Sequence, residues 1–329
     1  MGQDGSARGG DGRRVSVAIT ALVLGSIALG SSPILVRLSE LEPVATGFYR
    51  VALAAPALGL ILALGSRRQA AAHARSLRRS DLAWLGLAGL FFAADLAFLH
   101  RSLHHTNVAN ATLFLNVAPF FLVFGRRVLF GERLTPVFLA SLLIAVGGVG
   151  ILVGGTADLS ADRLHGDGLA LLAGAFYGTY LLIVSGLNGL PTALVMAVST
   201  ATSALVLLGV VTVLGESLMP LTPSGWLTLA ALALVTHAGG QGLVAYALKV
   251  LPASSSSTAL LLQPVAAAGA AWIIFGERLG TVQVTGGLIV LMAIFACHRA
   301  ASRRPARVVV QTWRGLDAAP ALDGSGRQS

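Results

Sequence analysis

Phe130-Gly131-Glu132-Arg133-Leu134 recurs, residue for residue, as Phe275-Gly276-Glu277-Arg278-Leu279, 145 residues further along the chain. Thirteen residues before each glutamate stands a proline, Pro119 and Pro264. Five identities plus a matched proline at one offset mark an internal duplication. What lies between the two copies decides the fold. Apolar runs of about 20 residues, enough to cross a bilayer, fall near 15–37, 43–64, 81–102, 107–130, 135–154, 167–187, 191–214, 225–249, 253–274 and 281–298. They are separated by turn chemistry or charge, as at Glu40 to Pro43, Asn188 to Pro191 and Pro220 to Ser224. Each repeat therefore holds five spans. Five is odd, so the second copy enters the membrane from the opposite side, and the fold predicted is all-α integral membrane: ten transmembrane helices as two inverted five-helix repeats around a central cavity.

Composition supports a membrane solvent. Apolar residues make up 55% of the 329 positions, charged residues 11%, and the mean hydropathy is +0.79. A soluble domain carries roughly 25% charge, so this chain has too little polar surface to cover a water-facing globule. The 39 glycines suit close helix approach in lipid, as in Gly150-xxx-Gly154 and Gly174-xxx-Gly178. The net charge of +9 does not point to nucleic acid, because the basic residues sit between apolar runs and in the tails rather than on one face. One cysteine, Cys297, excludes an intrachain disulfide. The first apolar run exceeds 20 residues and has no small-residue cleavage site after it, so a retained helix is expected rather than a signal peptide.

Charge placement sets the expected orientation. With the N-terminus inside, 18 of the 23 basic residues fall in the tails and inner loops. Arg37, Arg101, Arg163 and Arg278 lie outside, and Arg50 lies within a span. This bias puts both termini in the cytoplasm of a plasma-membrane protein. The expected organisation is a disordered tail over 1–14, a first repeat over 15–154, an external loop over 155–166, a second repeat over 167–298 and a basic, disordered tail over 299–329.

The chain resembles the EamA family of the drug/metabolite transporter superfamily. The likeness runs through Glu42-Pro43 with Phe48-Tyr49-Arg50, then Phe98 and Leu103, then Asn107 through Pro119 to Gly131-Glu132-Arg133-Leu134, and a glycine-rich fifth span ending near Gly154. The second half repeats it at Ala247-Leu248-Lys249, Pro264 and Gly276-Glu277-Arg278-Leu279. It covers nearly everything between residues 15 and 298 and is weak for substrate, since the family carries very different solutes. It implies helices 1–4 and 6–9 around a central cavity, helices 5 and 10 at the periphery, and export of a metabolite. Arg126 and Arg127 depart from the family's apolar pattern, so the fourth helix is expected to stop early at its inner end.

Several in-span residues are candidates for a site. Pro119 and Pro264 each free a carbonyl four residues back, near Leu115 and Leu260, which Asn116 and Gln263 are close enough to help satisfy. The breaks either bind solute through exposed backbone or are packing kinks. A charge within a span costs about 2.5–3.5 kcal/mol. Arg50 and Asp95 each lie seven residues from the outer end of a span, about 10 Å deep at 1.5 Å per residue. They either pair with each other or both face solute, and Asp95 is also the proton-coupling candidate. Ser26, Gly30, Pro33 and Arg37 share one face of the first span, where Arg37 either joins the cavity or reaches up to the interface. Two arginines against one aspartate favour an anionic or zwitterionic solute.

In the second half, His237, Gln241 and Val244 share a face, and Tyr177, Tyr180, Ser199 and Ser203 are placed either to line the same cavity or to form packing hydrogen bonds. The run Ser254–Thr258 reads first as a helix start. His100, His104 and His105 lack the carboxylate or cysteine that would complete a metal site. No cofactor is expected.

The function expected is a secondary carrier of a small polar metabolite, such as an amino acid or organic anion, working by alternating access. A nucleotide-driven pump lacks its Gly-x-x-x-x-Gly-Lys loop, the single lysine being Lys249. A membrane enzyme lacks paired acids or His-Glu-x-x-His on one face, and a scaffold or sensor would need a signalling domain. The partners expected are a small-molecule solute and the lipid bilayer, with a homodimer compatible with the sequence.

Overall fold

The computed structural model describes residues 4–64, 77–102, 105, 106, 111, 114–132, 134, 136–153, 161–275 and 280–302. His104, Asn107, Arg133, Gly154, Gly276 to Leu279, residues 155–160 of the loop over 155–166 and the tail beyond Ser302 lie outside them. Every regular element among the described residues is helical. In chain order these are α1 (Asp4–Gly30), α2 (Ser32–Arg37), α3 (Pro43–Ala52), α4 (Ala54–Leu64), α5 (Arg79–Ser102), α6 (Ala118–Phe130), α7 (Pro136–Val153), α8 (Ala161–Gly186), α9 (Thr192–Leu214), α10 (Pro223–Ala231), a π-helical segment (Leu232–Gln241), α11 (Gly242–Val250), α12 (Ala253–Leu260), α13 (Leu262–Phe275) and α14 (Thr281–Ser302). Among the described residues, six helices are long and apolar enough to cross a membrane: Arg13–Arg37, Pro43–Leu64, Arg79–Ser102, Leu164–Gly186, Thr192–Leu214 and Pro223–Val250. Pro136–Ile151, Thr258–Ile274 and Val284–Ala293 are shorter apolar helices.

Two helices run further than composition suggests. α1 reaches back to Asp4, and α8 starts at Ala161, inside the stretch read as an external loop. A helix already nucleated in an apolar run extends by one hydrogen bond per residue fixed, without a second nucleation penalty. Arg126 and Arg127 do not stop their helix early either. α6 continues through both and ends at Phe130, capped by Gly131 in the left-handed region at φ 64°. The reason is that Arg126 is neutralised where it lies. Its Nε donates to Glu132 at 2.6 Å, its Nη1 donates to the Ser185 hydroxyl at 3.0 Å, and its guanidinium stacks 4.7 Å from the Phe130 ring centroid.

Prolines explain the helix interruptions. Pro33, Pro56, Pro119 and Pro264 each lack the donor for the carbonyl four residues back, and helices are broken at Ser31, Leu53, Asn116–Val117 and Leu261 respectively. At the first break the Ser31 hydroxyl donates to the Ala28 carbonyl at 2.6 Å.

The two halves interlock. α1 packs on the π-helical segment, α11 and α13, while α8 packs on α5 and α6, and α9 on α3, α4 and α5. Close approach is made by glycines: a Cβ at Gly25 would lie 2.8 Å from the Gly240 carbonyl oxygen, and one at Gly178 would lie 2.6 Å from that of Ala118. The main apolar core runs through these helices, from Leu22 and Leu85 to Tyr180, Leu207 and Leu248. α7 and α14 pack together beside it around a separate cluster of Phe138, Leu142, Val149 and Val290.

Candidate functional site

The segments interrupted at Ser31 and Leu261, together with α3, α5, α8 and the π-helical segment, surround a cavity of about 300 Å³. That volume is at the lower end of the range for small-molecule sites. Arg37, Arg50, Asp95, Tyr177, Gln241 and Gln263 line it, so six of the polar residues singled out in the sequence share one space. The remaining wall is mostly apolar, with Leu29, Pro33, Val36, Leu96 and Leu99 among its members.

Arg50 is buried and held from two sides. Its Nη1 donates to the Ser32 hydroxyl at 3.1 Å, and its guanidinium carbon lies 5.9 Å from the centroid of the Phe92 ring. Asp95 is also buried, one helical turn beyond Phe92 on α5. The two side chains interact electrostatically. Yet among the described residues the ion pairs within 4.0 Å are His105–Asp162 and Arg126–Glu132, not Arg50–Asp95. Three buried polar atoms of the lining lack a hydrogen-bond partner: Arg50 Nε, Asp95 Oδ1 and Gln241 Nε2. Buried polar groups are ordinarily satisfied, and these three belong to residues around one hollow.

Tyr177 donates its hydroxyl to Gln241 Oε1 at 3.3 Å, joining α8 to the π-helical segment. Tyr180 and His237 are not lining residues; they stand behind the wall. Phe92 packs 4.7 Å from Tyr180 and 5.1 Å from His237, centroid to centroid, and Tyr177 stacks on Tyr180 at 6.2 Å. His237 Nε2 is hydrogen-bonded to the Thr200 hydroxyl at 2.8 Å. Ser199 and Ser203 are packing residues as well, donating to the Val195 and Gly89 carbonyls at 2.7 Å each. Ser26 is fully buried away from the cavity. Asn116 sits half-buried in the turn of the first matched break, one residue after the lining Leu115, and does not itself line the hollow.

Both matched breaks are packed against a glycine from the other half of the chain. A Cβ at Gly30 would lie 2.6 Å from the Gln263 carbonyl oxygen, and one at Gly174 would lie 2.9 and 3.0 Å from those of Phe114 and Leu115. Close backbone approach of this kind needs the missing side chain.

Three features went unread in the sequence. His100 lines the cavity, and its Nδ1 lies 2.6 Å from the Pro43 carbonyl oxygen, in a space that the absent Cβ of Gly47 leaves open. The break at Pro33 and the π-helical segment were also missed. Pro33 carried the signal for the first. The second has no residue signature, although π-turns recur at functional sites. His105 turns away to Asp162 at 2.8 Å, so it and His100 do not converge.

No curated protein matches the sequence. One solved structure, titled only as a crystal structure of a protein, superposes with a TM-score of 0.71 at 19% identity, covering 89% of this chain and 98% of its own. That likeness is one of fold. The EamA-like transporter family matches residues 16–154 and again residues 164–297, one match per repeat. The chain is a membrane protein of the EamA-like transporter family, within the drug/metabolite transporter superfamily.

Proposed function

We propose that this protein is a secondary transporter that exports a small polar metabolite by alternating access. In this reading ten spans form two inverted five-helix repeats in the plasma membrane, with both termini in the cytoplasm, and the central cavity is the solute site. The observation that carries it is the gathering of Arg50, Asp95, Gln241 and Gln263 from both repeats around one hollow. Buried ionisable groups inside a helix bundle mark solute or ion pathways. Two matched repeats supply the alternation, because inverted halves can exchange conformations around a fixed site.

Arginine and aspartate on one wall suit a charged metabolite such as an amino acid or organic anion. Among the described lining residues Asp95 is the one carboxylate, which makes it the group to carry a coupling proton. The test is counterflow into liposomes holding the purified protein, with labelled amino acids, organic acids and nucleosides as probes. Preloaded vesicles are expected to accumulate at least one of these above empty vesicles, and an imposed pH gradient to change the rate. Absence of counterflow across the panel would contradict transport. Gradient-driven transport that survives Asp95→Asn would remove the proton role from Asp95.

A further inference from the structure

We infer that the junction between the end of α5 and the start of α8 is a second site, one that takes a divalent transition-metal ion such as zinc or copper. The ligands are the imidazoles of His105 and His165, and Asp162 is the carboxylate behind His105. In the sequence the histidines after the third span lack a carboxylate. Folding brings one from 57 residues further on, and His105 Nδ1 lies 2.8 Å from Asp162 Oδ1. An ionised carboxylate only accepts, so Nδ1 carries the hydrogen and the neutral ring presents Nε2 as a lone pair. Histidine ligands ordinarily have such a partner on their other nitrogen, where it fixes the tautomer and raises basicity. The His105 and His165 ring centroids lie 5.0 Å apart, with the planes at 86°. Two imidazoles on one tetrahedral zinc, each nitrogen about 2.0–2.1 Å from the metal, hold their centroids about 5 Å apart.

The backbone around these rings is fixed. The amides of His105 and Thr106 both donate to the Ser102 carbonyl at 2.9 Å. The Thr106 hydroxyl donates to Asp167 Oδ1 of α8 at 2.6 Å, and a Cβ at Gly166 would lie 2.8 Å from both His105 Cβ and the Thr106 nitrogen. Anchored backbone of this kind keeps ligands close to a productive geometry. The His105 side chain is 27% exposed and that of Asp162 71%, and His165 is exposed too, so an ion in solution can reach them. Among the described residues no three His, Cys, Asp or Glu side chains are grouped to hold an ion. The site is therefore an open one, with two protein ligands and water for the rest. Two imidazoles suit zinc, copper or nickel, whereas calcium and magnesium want several oxygens. None of the three residues lines the central cavity, so the site does not depend on what that cavity carries.

The test is equilibrium binding of Cu²⁺ to the detergent-purified, tag-free full chain, read with electron paramagnetic resonance. Wild type should bind copper, and His105→Ala and His165→Ala should each weaken binding about tenfold or more and remove one nitrogen from the copper spectrum. Asp162→Ala should weaken binding about tenfold without changing the nitrogen count, and Asp162→Asn less, because its amide oxygen still accepts from Nδ1. Wild-type protein that binds no copper overturns the inference. So does copper held equally tightly by His165→Ala, which would place the ion on the other histidines. His165 is exposed, so its variant is expected to melt with wild type, and the wild-type measurement needs no variant.

Discussion

Glu40 accepts hydrogen bonds from the Leu221 amide at 2.9 Å, the Thr222 amide at 3.1 Å and the Thr222 hydroxyl. It thereby ties the loop between α2 and α3 to the start of α10, and Glu216 returns the favour by accepting from the Ala45 amide of α3 at 2.7 Å. Each carboxylate thus sits at the N-terminus of a helix from the other repeat, where both hydrogen bonding and the helix dipole favour negative charge. The Thr222 hydroxyl bond, chiefly, holds the Glu40 carboxyl below its usual value of 4.5. A carboxyl depressed in the folded state stabilises above its unfolded pKa, and that stabilisation is lost as pH falls through the folded value. Glu40→Gln should therefore melt below wild type at pH 7, with the gap constant down to about pH 5 and closing below pH 4.5. A gap that persists unchanged at pH 3.5 would show that charge on Glu40 is not what holds the loops. At this scale the sequence was only partly legible. Arg50 and Asp95 stood out because in-span charge is rare, whereas Glu40 and Glu216 resembled any loop carboxylates, their partners being over 170 residues away.

Helix interruptions are the elements on which the site is built. Proline made the matched breaks readable, because the loss of one donor has the same local consequence wherever it occurs in a helix. What closes around each break was not readable, since that depends on which helix of the other repeat approaches. Gly174 of α8 approaches the carbonyls of Phe114 and Leu115 closely. Gly174→Ala would put a methyl group 2.6 Å from Val117 Cγ1 and 2.9 Å from the Phe114 oxygen, costing about 1–3 kcal/mol by overpacking. Gly168→Ala on the same helix meets nothing within 4 Å and should leave stability unchanged or raise it slightly. Thermal unfolding in detergent separates the two, and equal midpoints would mean that α8 can withdraw from the break freely. The π-helical segment shows the limit of sequence reading for elements. Apart from Gly239-Gly240, Leu232–Gln241 has the composition of an ordinary helix, and helices from the other half of the chain, α1, α3 and α4 among them, pack on it.

For the molecule as a whole, the duplication of Phe-Gly-Glu-Arg-Leu carried most of the architecture. Family membership over both halves agrees with the duplication, and the regular elements among the described residues are all helical, with six helices of membrane length; the ten-span count and the inversion belong to the proposal. Helix ends were less legible, since α1 and α8 extend past the apolar runs that nucleate them. The proposal that the halves are inverted in the bilayer predicts that Leu134, the last residue of the first Phe-Gly-Glu-Arg-Leu, and Leu279, the last of the second, face opposite sides. In a Cys297→Ser background, Leu134→Cys and Leu279→Cys can each be challenged with a membrane-impermeant maleimide in intact cells. Leu279→Cys is expected to react directly and Leu134→Cys only after permeabilisation. Reaction of both from the same side would contradict the inverted architecture and the alternating access built on it.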